Sequence, residues 1–274
     1  MKRTNFLLTT IAISGFITLN SCQNIESTEN TPSGIEQYFI DEELSKNYDA
    51  QFNVKFVTGL NSHDSIIRSR SADATAWFQN NGSNTEAGDV RISDYLLNFN
   101  PRNRNYQSNF RYDFVNDVFG NSNTYSIEGN ENLPAFSHTT YFPNVINATS
   151  PNIDEMSYVE YDSDIEINWN QDPGNEEVFI AMHYNGPFNK SIDENLPDES
   201  FFKYYKVADN GSFTIPASEI KQFPKGGHGT LYVARGHLEE KNIGEEFKAG
   251  FVAITKSNSN FIIKDDLTRS ELEN

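Results

Sequence analysis

The chain has 274 residues, of which 36% are hydrophobic and 13% aromatic, and its formal net charge is −18. This excess of negative charge argues against nucleic acid and other anionic surfaces as partners; it suits solubility, cation binding or the recognition of basic or neutral partners. Frequent Phe, Tyr, Asn, Ser, Gly and Thr are typical of a β-rich, extracellular-type protein.

The first 21 residues are predicted to be a lipoprotein signal peptide. Lys2 and Arg3 form a basic start, and residues 6–19 are apolar but too few to span a bilayer. The sequence Leu19-Asn20-Ser21-Cys22 then resembles the lipobox of signal-peptidase-II substrates, in which the cysteine sulfur accepts the lipid. An ordinary secretory signal with an accidental cysteine is the alternative.

Lipidation of Cys22 would fix the rest of the chain to a membrane. Because Cys22 is the only cysteine, the processed chain has no thiol for disulfides or metal binding, and its stability depends on core burial. Three acyl chains such as palmitate make attachment nearly permanent, since each buried methylene contributes about 0.8 kcal/mol. By resemblance to lipoprotein sorting rules, Gln23 rather than Asp after the cysteine favours the outer membrane.

Residues 22–47 are predicted to be a flexible tether. They are polar and acidic and include a Pro-Ser-Gly sequence at 32–34, a composition that buries too little apolar area to order itself. A coil of this length spans about 25–30 Å, enough to clear the lipid head groups. Docking of residues 38–40 on the folded body is an alternative for the second half. Acids soon after the cysteine are similar to surface-export signals of Bacteroidetes-type lipoproteins, so both the periplasm and the cell exterior stay open.

An N-terminal β domain is predicted over residues 48–149. Its strand candidates are short runs separated by turn residues, at 51–57, 74–79, 91–99, 108–115 and 124–127. In the fourth run, Phe110, Tyr112 and Phe114 alternate with polar residues, which predicts a half-buried strand with an aromatic core face.

A second β domain is predicted over residues 150–266, followed by a polar tail, 267–274. In residues 158–170, apolar residues up to Trp169 alternate with mostly acidic ones, which predicts a strand with one face buried and the other exposed to water. Asp172-Pro173-Gly174-Asn175 then forms a turn, because proline fixes φ and glycine accepts φ > 0. Further strands are predicted at 178–184, 201–207, 212–215, 230–235 and 247–255, with 261–263 as an extra edge and 217–223 as one helical turn.

Trp169 with its Asp-Pro turn, followed by residues 211–216 and 231–236, resembles immunoglobulin-like or fibronectin-III-like modules of Bacteroidetes-type outer-membrane lipoproteins. The resemblance covers residues 150–265 and implies a β-sandwich. It implies no active site, since such modules serve binding, spacing and adhesion more often than catalysis. The predicted fold class is all-β, with two β-sandwich-type domains, the second immunoglobulin-like.

Residues able to carry chemistry form no recognisable catalytic pattern. The five histidines lack zinc-ligand spacing, and hydrolase, P-loop and dinucleotide-binding motifs are absent, so we expect no enzyme and no cofactor. Asp162, Asp164 and Glu166 follow one strand face at about 6.6 Å intervals, too far apart to share one cation unaided, which favours a solvated outer face. Whether the acidic loop 193–199 binds calcium stays open.

Aromatic side chains are the candidate ligand-binding residues. Trp77 lies between a polar stretch and an Asn-rich turn, where an exposed indole is placed to stack on a sugar ring, and Tyr95, Tyr106 and Tyr112 are further candidates. An ordinary core position for Trp77 is the alternative, since tryptophan is mostly buried.

These patterns predict a lipid-anchored, non-catalytic binding or adhesion module for glycan or protein. An accessory subunit that docks on an outer-membrane partner by edge-strand pairing is the second hypothesis. A carboxylate-dependent hydrolase is the third. Aromatic rings in one groove favour glycan binding, a broad apolar patch favours a protein partner, and two close acids in a deep cleft favour an enzyme.

Overall fold

The computed structural model describes most of the chain after residue 47. The described residues are 48–60, 66–68, 71–80, 82–131, 133–151, 157–187, 201–243 and 247–264. Cys22, the predicted tether, the acidic loop 193–199 and the predicted polar tail lie outside them.

In the first part of the described chain, ten strands and one helix are present. The strands are β1 (Ala50–Leu60), β2 (Ile66–Arg68), β3 (Ser71–Asn80), β4 (Ser83–Asn84), β5 (Val90–Ile92), β6 (Tyr95–Leu96), β7 (Asn98–Asn100), β8 (Asn105–Arg111), β9 (Ser122–Ile127) and β10 (Phe136–Tyr141). The helix is α1 (Tyr112–Val118).

Eight more strands and one short helix follow in the remaining described residues. The strands are β11 (Ala148–Ser150), β12 (Ser157–Val159), β13 (Ile165–Trp169), β14 (Glu177–Pro187), β15 (Phe201–Ala208), β16 (Ser212–Ile215), β17 (Gly227–Ile243) and β18 (Phe247–Ile263). The predicted helical turn is present as α2 (Ala217–Ile220). The predicted all-β class is confirmed.

One large sheet forms a layer of both sandwiches. Its strand order is β15-β14-β17-β18-β1-β3-β8-β7, with β12 on β18, β2 on β1 and β4 on β3. A four-stranded sheet, β10-β9-β5-β6, packs on one half and a three-stranded sheet, β11-β13-β16, packs on the other. Phe251 and Phe261, which share one face of β18, belong to the two different cores. The two small sheets therefore cover the same face of the large one.

The core of the first sandwich is aromatic. Phe52 of β1 stacks on Phe251 of β18, with ring centroids 5.2 Å apart, and contacts Tyr125 of the small sheet at 5.1 Å. Phe78 of β3 meets Phe52 edge to face at 5.3 Å. Such pairs contribute about 0.5–1.5 kcal/mol each beyond the burial of their area.

The second half of the described chain forms a β-sandwich, as predicted. β11, β13 and β16 face β15, β14, β17 and β18, and β12 runs parallel to the end of β18. Trp169 is buried in this core together with Phe213 and Ile167. The core of this sandwich is therefore formed by inward-facing residues of both sheets.

A long hairpin, β17 with β18, belongs to both sandwiches. Each strand has 17 residues, and they pair from His228↔Ile262 to Ile243↔Phe247. β18 also pairs in parallel with β1, from Ala50↔Ala249 to Gly59↔Asn258. The division near residue 150 stays a prediction, but strands from both sides of it share one sheet.

Two predicted strand boundaries in this hairpin are wrong. The segments 247–255 and 261–263 are one strand, and the run predicted at 230–235 lies inside a much longer strand, β17. The prediction stopped at polar residues 256–260, yet these are buried, with exposures of at most 8%. They lie where the strand passes from one core to the other.

The predicted strand 108–115 is also wrong in its second half. The strand ends at Arg111 and α1 begins at Tyr112. Alternation at 110, 112 and 114 fits a strand, but Phe114, Val115 and Val118 recur at helical spacing and all three are buried. The rings of Phe110 and Phe114 stack at 4.2 Å.

The run predicted as one strand at 91–99 is also wrong, because it is divided into three short strands, β5, β6 and β7.

A buried ion pair lies where the two cores meet. The side chains of Arg235 on β17 and Asp209 after β15 are 0% and 1% exposed, and Arg235 Nε lies 2.9 Å from Asp209 Oδ2, although its N–H does not point at that oxygen. Nη2 of Arg235 donates to Asp209 Oδ1 at 3.0 Å, and Nη1 donates to the carbonyl of Asn144 at 3.1 Å. The indole of Trp169 also donates to Asp209 Oδ1, at 2.8 Å. One guanidinium thus joins β17 to the segment between β10 and β11.

Asp172 completes this polar cluster. It is 1% exposed and accepts hydrogen bonds from the Tyr141 hydroxyl at 2.8 Å and from the backbone N–H groups of Asn144 and Gly174. Burial alone would raise the pKa of Asp172, but these hydrogen bonds outweigh it and lower the pKa. A Cβ at Gly174 would lie 2.6 Å from the Tyr141 ring, so glycine permits a close approach here. The prediction that it adopts φ > 0 is wrong.

Arg235→Ala is expected to lower the free energy of unfolding by about 3–5 kcal/mol, because it leaves the Asp209 carboxylate buried and without its cation. Urea denaturation measures the change. Arg91→Ala is the matched control, since the Arg91 side chain is 43% exposed and pairs with Asp89 at the surface; it should cost less than about 1 kcal/mol. Equal losses in the two variants would contradict the role given to Arg235.

Candidate functional site

Trp77 lies on the outer face of the large sheet. Along β3 the side chains of Ala72, Ala74, Ala76 and Phe78 are buried against the small sheet. Trp77 alternates with them and is half-buried on the opposite face, outside the core. The alternative prediction, a core position for this indole, is therefore wrong.

Beside Trp77 the same face carries an open cleft with a volume of about 890 Å³. Its floor is formed by four neighbouring strands, β1, β3, β8 and β7. The polar residues that line it are Asn53, Lys55, Asp73, Thr75, Asn98, Asn100, Gln107, Ser108 and Asn109. The volume lies in the range of small-molecule sites, roughly 300–1,000 Å³.

The position of Trp77 relative to this cleft follows from the strand register. Thr75, a cleft residue, lies two positions before Trp77 on the same face of β3, about 6.6 Å away. On β1, Gln51 lies opposite Trp77 and Asn53 lies opposite Thr75. The indole therefore stands at one end of the row of polar side chains.

The cleft residues present both donors and acceptors. The amide of Asn53 donates to Thr75 Oγ1 at 3.3 Å and accepts from Gln51 at 2.7 Å. The amide of Asn109 donates to Asp73 Oδ1 at 2.8 Å. Each amide has two N–H donors and two lone pairs, so these contacts use only part of its capacity. Such a surface matches hydroxyl groups, which also donate and accept.

Charge in the cleft is balanced. Lys55 on β1 and Asp73 on β3 are cross-strand partners in the register. They are the charged residues among those that line the cleft in the described chain. The cleft floor is therefore close to neutral on a strongly acidic protein.

Tyr95 and Tyr112 do not join Trp77. The Tyr95 ring packs edge to face against Phe114 at 4.8 Å, beside the first core, and its hydroxyl donates to Asp117 at 2.8 Å. That hydrogen bond, with some burial, raises the pKa of Tyr95. Tyr112 is the first residue of α1. Of the three predicted ligand-binding residues, Trp77 is the one beside the cleft.

Tyr106 is a core residue. It is 4% exposed and its hydroxyl bridges the loop before β5, accepting from the Ala87 N–H at 2.9 Å and donating to the Gly88 carbonyl at 2.8 Å. Its ring meets Phe78 edge to face. Tyr106 therefore supports the strand that carries Gln107 and Asn109 into the cleft.

The acidic residues near the start of β13 have separate partners. Asp162 pairs with Lys221 at 2.9 Å, and Asp164 accepts from the backbone N–H of Ala217, the first residue of α2. Glu166 accepts from Asn168 on its own strand. Within the described residues, no three His, Cys, Asp or Glu side chains are grouped closely enough to hold a metal ion.

A second cluster of titratable groups ties the layers of the first sandwich together. Glu239 on β17 lies 2.9 Å from His138 Nε2 on β10 and 2.7 Å from Lys241 Nζ. Burial would raise the pKa of Glu239, but hydrogen bonds from Lys241, His138 and Thr140 outweigh it and lower the pKa to about 2. The His138 ring packs at 4.6 Å on Phe251, so this cluster is part of the core edge.

Comparison with known protein families and with curated proteins finds no match for this chain. No helix among the described residues is long and apolar enough to cross a bilayer. What the protein binds must therefore be argued from the chemistry of the cleft.

The amide residues of the cleft were not predicted as a site. Asn53, Gln107 and Asn109 alternate with buried residues, so their exposure to water follows from the strand pattern. Which strands share this sheet face does not follow, because β1 and β8 are more than 40 residues apart in the chain and are joined only through β3 between them. A local pattern of polar and apolar residues carries no information on which strands pair.

Trp77→Ala should lower the free energy of unfolding by about 1 kcal/mol, a typical cost for a residue outside the core. Phe78→Ala, at the next position, should lower it by about 3–5 kcal/mol because it empties a fully buried ring site. Urea denaturation of the two variants makes the comparison. A loss for Trp77→Ala as large as that for Phe78→Ala would assign Trp77 to the core.

Proposed function

We propose that the protein is a lipid-anchored component of the outer membrane, possessing no catalytic activity, that binds glycans in the cleft on the outer face of its first sandwich. The single observation that carries the proposal is that the half-buried Trp77 indole lies on the same sheet face as an amide-lined cleft, two residues along β3 from the cleft residue Thr75. An indole face offers apolar contact to the C–H side of a sugar ring, and amides exchange hydrogen bonds with its hydroxyls.

A protein partner has weaker support. Among the described residues the exposed large apolar side chains are Leu96, Tyr158 and Phe202, on β6, β12 and β15. They lie on three different strands, whereas protein-binding surfaces present contiguous apolar patches. The proposal of an accessory subunit that pairs through an edge strand therefore ranks second.

A hydrolase has the least support. Two-carboxylate glycoside hydrolysis uses two acids about 5–10 Å apart on either side of the bond that breaks. Asp73 is the one carboxylate among the described residues that line the cleft, and it faces Lys55 across the strands. Binding is the function that this residue set supports best.

Anchoring explains why a binding module carries a leader and a polar tether. The lipobox-like Leu19-Asn20-Ser21-Cys22 supports lipidation of Cys22, and the polar residues that follow support a spacer between membrane and cleft. Outer-membrane residence, facing the periplasm or the cell exterior, would place the cleft where polysaccharides are found.

The anchor can be tested on protein from the native envelope. Mass spectrometry should find an N-terminal peptide that begins at Cys22 and carries acyl chains. Cys22→Ser should move the protein to the soluble or unprocessed fraction, whereas Ser21→Ala, which keeps a small residue at that position, should leave it in the membrane. An unmodified Cys22 with the leader still attached would contradict the proposal.

Glycan binding can be tested with the chain from residue 23 onward on an oligosaccharide array, followed by titration calorimetry of the hits. Trp77→Ala should weaken binding about five- to hundredfold, if a sugar ring gains as much from the indole as a nucleobase gains from stacking on an aromatic ring, roughly 1–3 kcal/mol. Asn109→Ala in the cleft should also weaken it.

Two variants serve as controls for this titration. Phe202→Ala removes an exposed aromatic ring from β15, and Asn121→Ala removes an exposed amide from the turn before β9. Both should bind as tightly as the parent chain. The proposal would be contradicted if no oligosaccharide bound, or if Trp77→Ala bound the oligosaccharides as tightly as the parent chain.

A further inference from the structure

Charge is distributed unevenly along this acidic chain. Residues 48–111 contain seven basic and six acidic residues, whereas residues 112–274 contain 11 basic and 27 acidic ones. The first segment supplies β1, β3, β7 and β8, which form the floor of the cleft. The strands of the cleft floor therefore come from a segment that is close to neutral, unlike the chain as a whole.

Two arginines stand at the end of the cleft. They belong to the turn of residues 101–104 between β7 and β8, and Asn100 and Pro101 at the start of that turn line the cleft. The Asn100 side chain accepts from the backbone N–H of Arg102 at 3.0 Å, and Arg104 has a φ of +51°. Both arginines are exposed. The turn is thus held by its own hydrogen bonds and presents two cations.

These arginines differ from the others whose side chains are described. Arg91 pairs with Asp89, and Arg235 pairs with Asp209. Within the part of the chain that the structure describes, Arg102 and Arg104 form no ion pair. A guanidinium presents a planar fork of N–H donors that matches carboxylate and sulfate groups.

The turn and Trp77 lie at the same end of the cleft. β3 and β8 pair from Ser71↔Arg111 to Ala76↔Tyr106, so the next position in this register sets Trp77 beside Asn105. Arg104 precedes Asn105 directly. Adjacent strands are about 4.8 Å apart. The indole and the turn are therefore close enough for one sugar ring and its charged substituent to contact both.

We propose that the ligand of the cleft is an acidic oligosaccharide, whose ring stacks on Trp77 while its carboxylate or sulfate group is bound by Arg102 and Arg104. This inference rests on the proposed glycan-binding function and adds the chemical class of the ligand. The opposite end of the cleft, with Lys55 facing Asp73, and its amide-lined floor bind the uncharged hydroxyls. Local charge at this turn overrides the net charge of the chain, because exposed charges farther away than about 10 Å are screened by salt.

The test uses matched pairs of oligosaccharides with the chain from residue 23 onward. One pair is an oligogalacturonate and its carboxyl-reduced neutral form, and the other is a sulfated glycosaminoglycan oligomer and its desulfated form, within a wider array of neutral glycans. We expect acidic members to bind at least about tenfold more tightly than their neutral counterparts. Their affinity should fall as the salt concentration rises.

The double variant Arg102→Gln/Arg104→Gln should lose this preference while keeping its thermal unfolding midpoint. Arg91→Gln, the same change on the second layer, should keep it. A double variant that binds acidic oligosaccharides as tightly as the parent overturns the inference, as does equal binding to a single-stranded oligonucleotide of similar charge.

The two proposals fail in different ways. Binding of neutral oligosaccharides that depends on Trp77 but is indifferent to the arginines and to acidic groups overturns the acidic-ligand inference and leaves glycan binding intact. Absence of binding to every array member overturns both.

Discussion

The parallel pairing of β1 with β18 determines how the two sandwiches are joined. β18 is built into the second sandwich at one end, beside β12, and into the first sandwich at the other, beside β1. Because the strand is continuous, the two cores share a layer and are not connected by a linker alone. The outer face that carries Trp77 is the reverse side of that shared layer. The cleft therefore stands on the large sheet, at the end where β1, β3, β8 and β7 lie side by side.

A polar belt separates the cores along this shared layer. On the inner face of β18, Thr255, Ser257 and Ser259 follow Ala253 of the first core and precede Phe261 of the second. Thr255 accepts from the backbone N–H of Ile146, in the segment that crosses between the sandwiches. Buried polar groups cost free energy unless they are paired, so this belt constrains which segments can pack there. Arg235 lies on the adjoining strand, β17, and its carboxylate partners lie in the turns after β13 and β15. We infer that this cluster selects one arrangement of the crossing segment rather than adding much net stability.

Local patterns predicted the elements better than their partners. The alternation from Ile165 to Trp169 and a turn at Asp172–Asn175 are present as predicted, because each depends on neighbours a few residues away. The first part of the predicted alternation, before residue 164, is instead a separate strand, β12, followed by a turn, and Gly174 does not have the predicted φ > 0. The prediction failed where tertiary context changes what a residue does. Polar residues 256–260 look like a loop in the sequence but are a buried strand. Phe114 fits both a strand and a helix until Val115 and Val118 are seen to be buried with it.

The candidate site shows the same limit. Trp77 was predicted as a ligand-binding residue from its flanking residues alone, and its place beside the cleft agrees with that role. Its neighbours across the sheet, Asn53 and Gln107, could not be predicted because β1 and β8 are brought together only by β3 between them. The two arginines of the turn were not predicted as ligand-binding residues, because the net charge of the chain is an average over regions that differ greatly in charge.

The direction of β1 also sets how the body would carry a mechanical load. The chain enters at Ala50, paired with Ala249 near the far end of the hairpin, and β1 runs from there towards the second sandwich between β3 and β18. A pull on the chain at residue 48 would act along the length of β1, so the hydrogen bonds to both neighbours would be sheared together rather than opened one after another. With the proposed anchor at the N-terminus and a polymer in the cleft, a load between the two would act on β1 in this shear geometry.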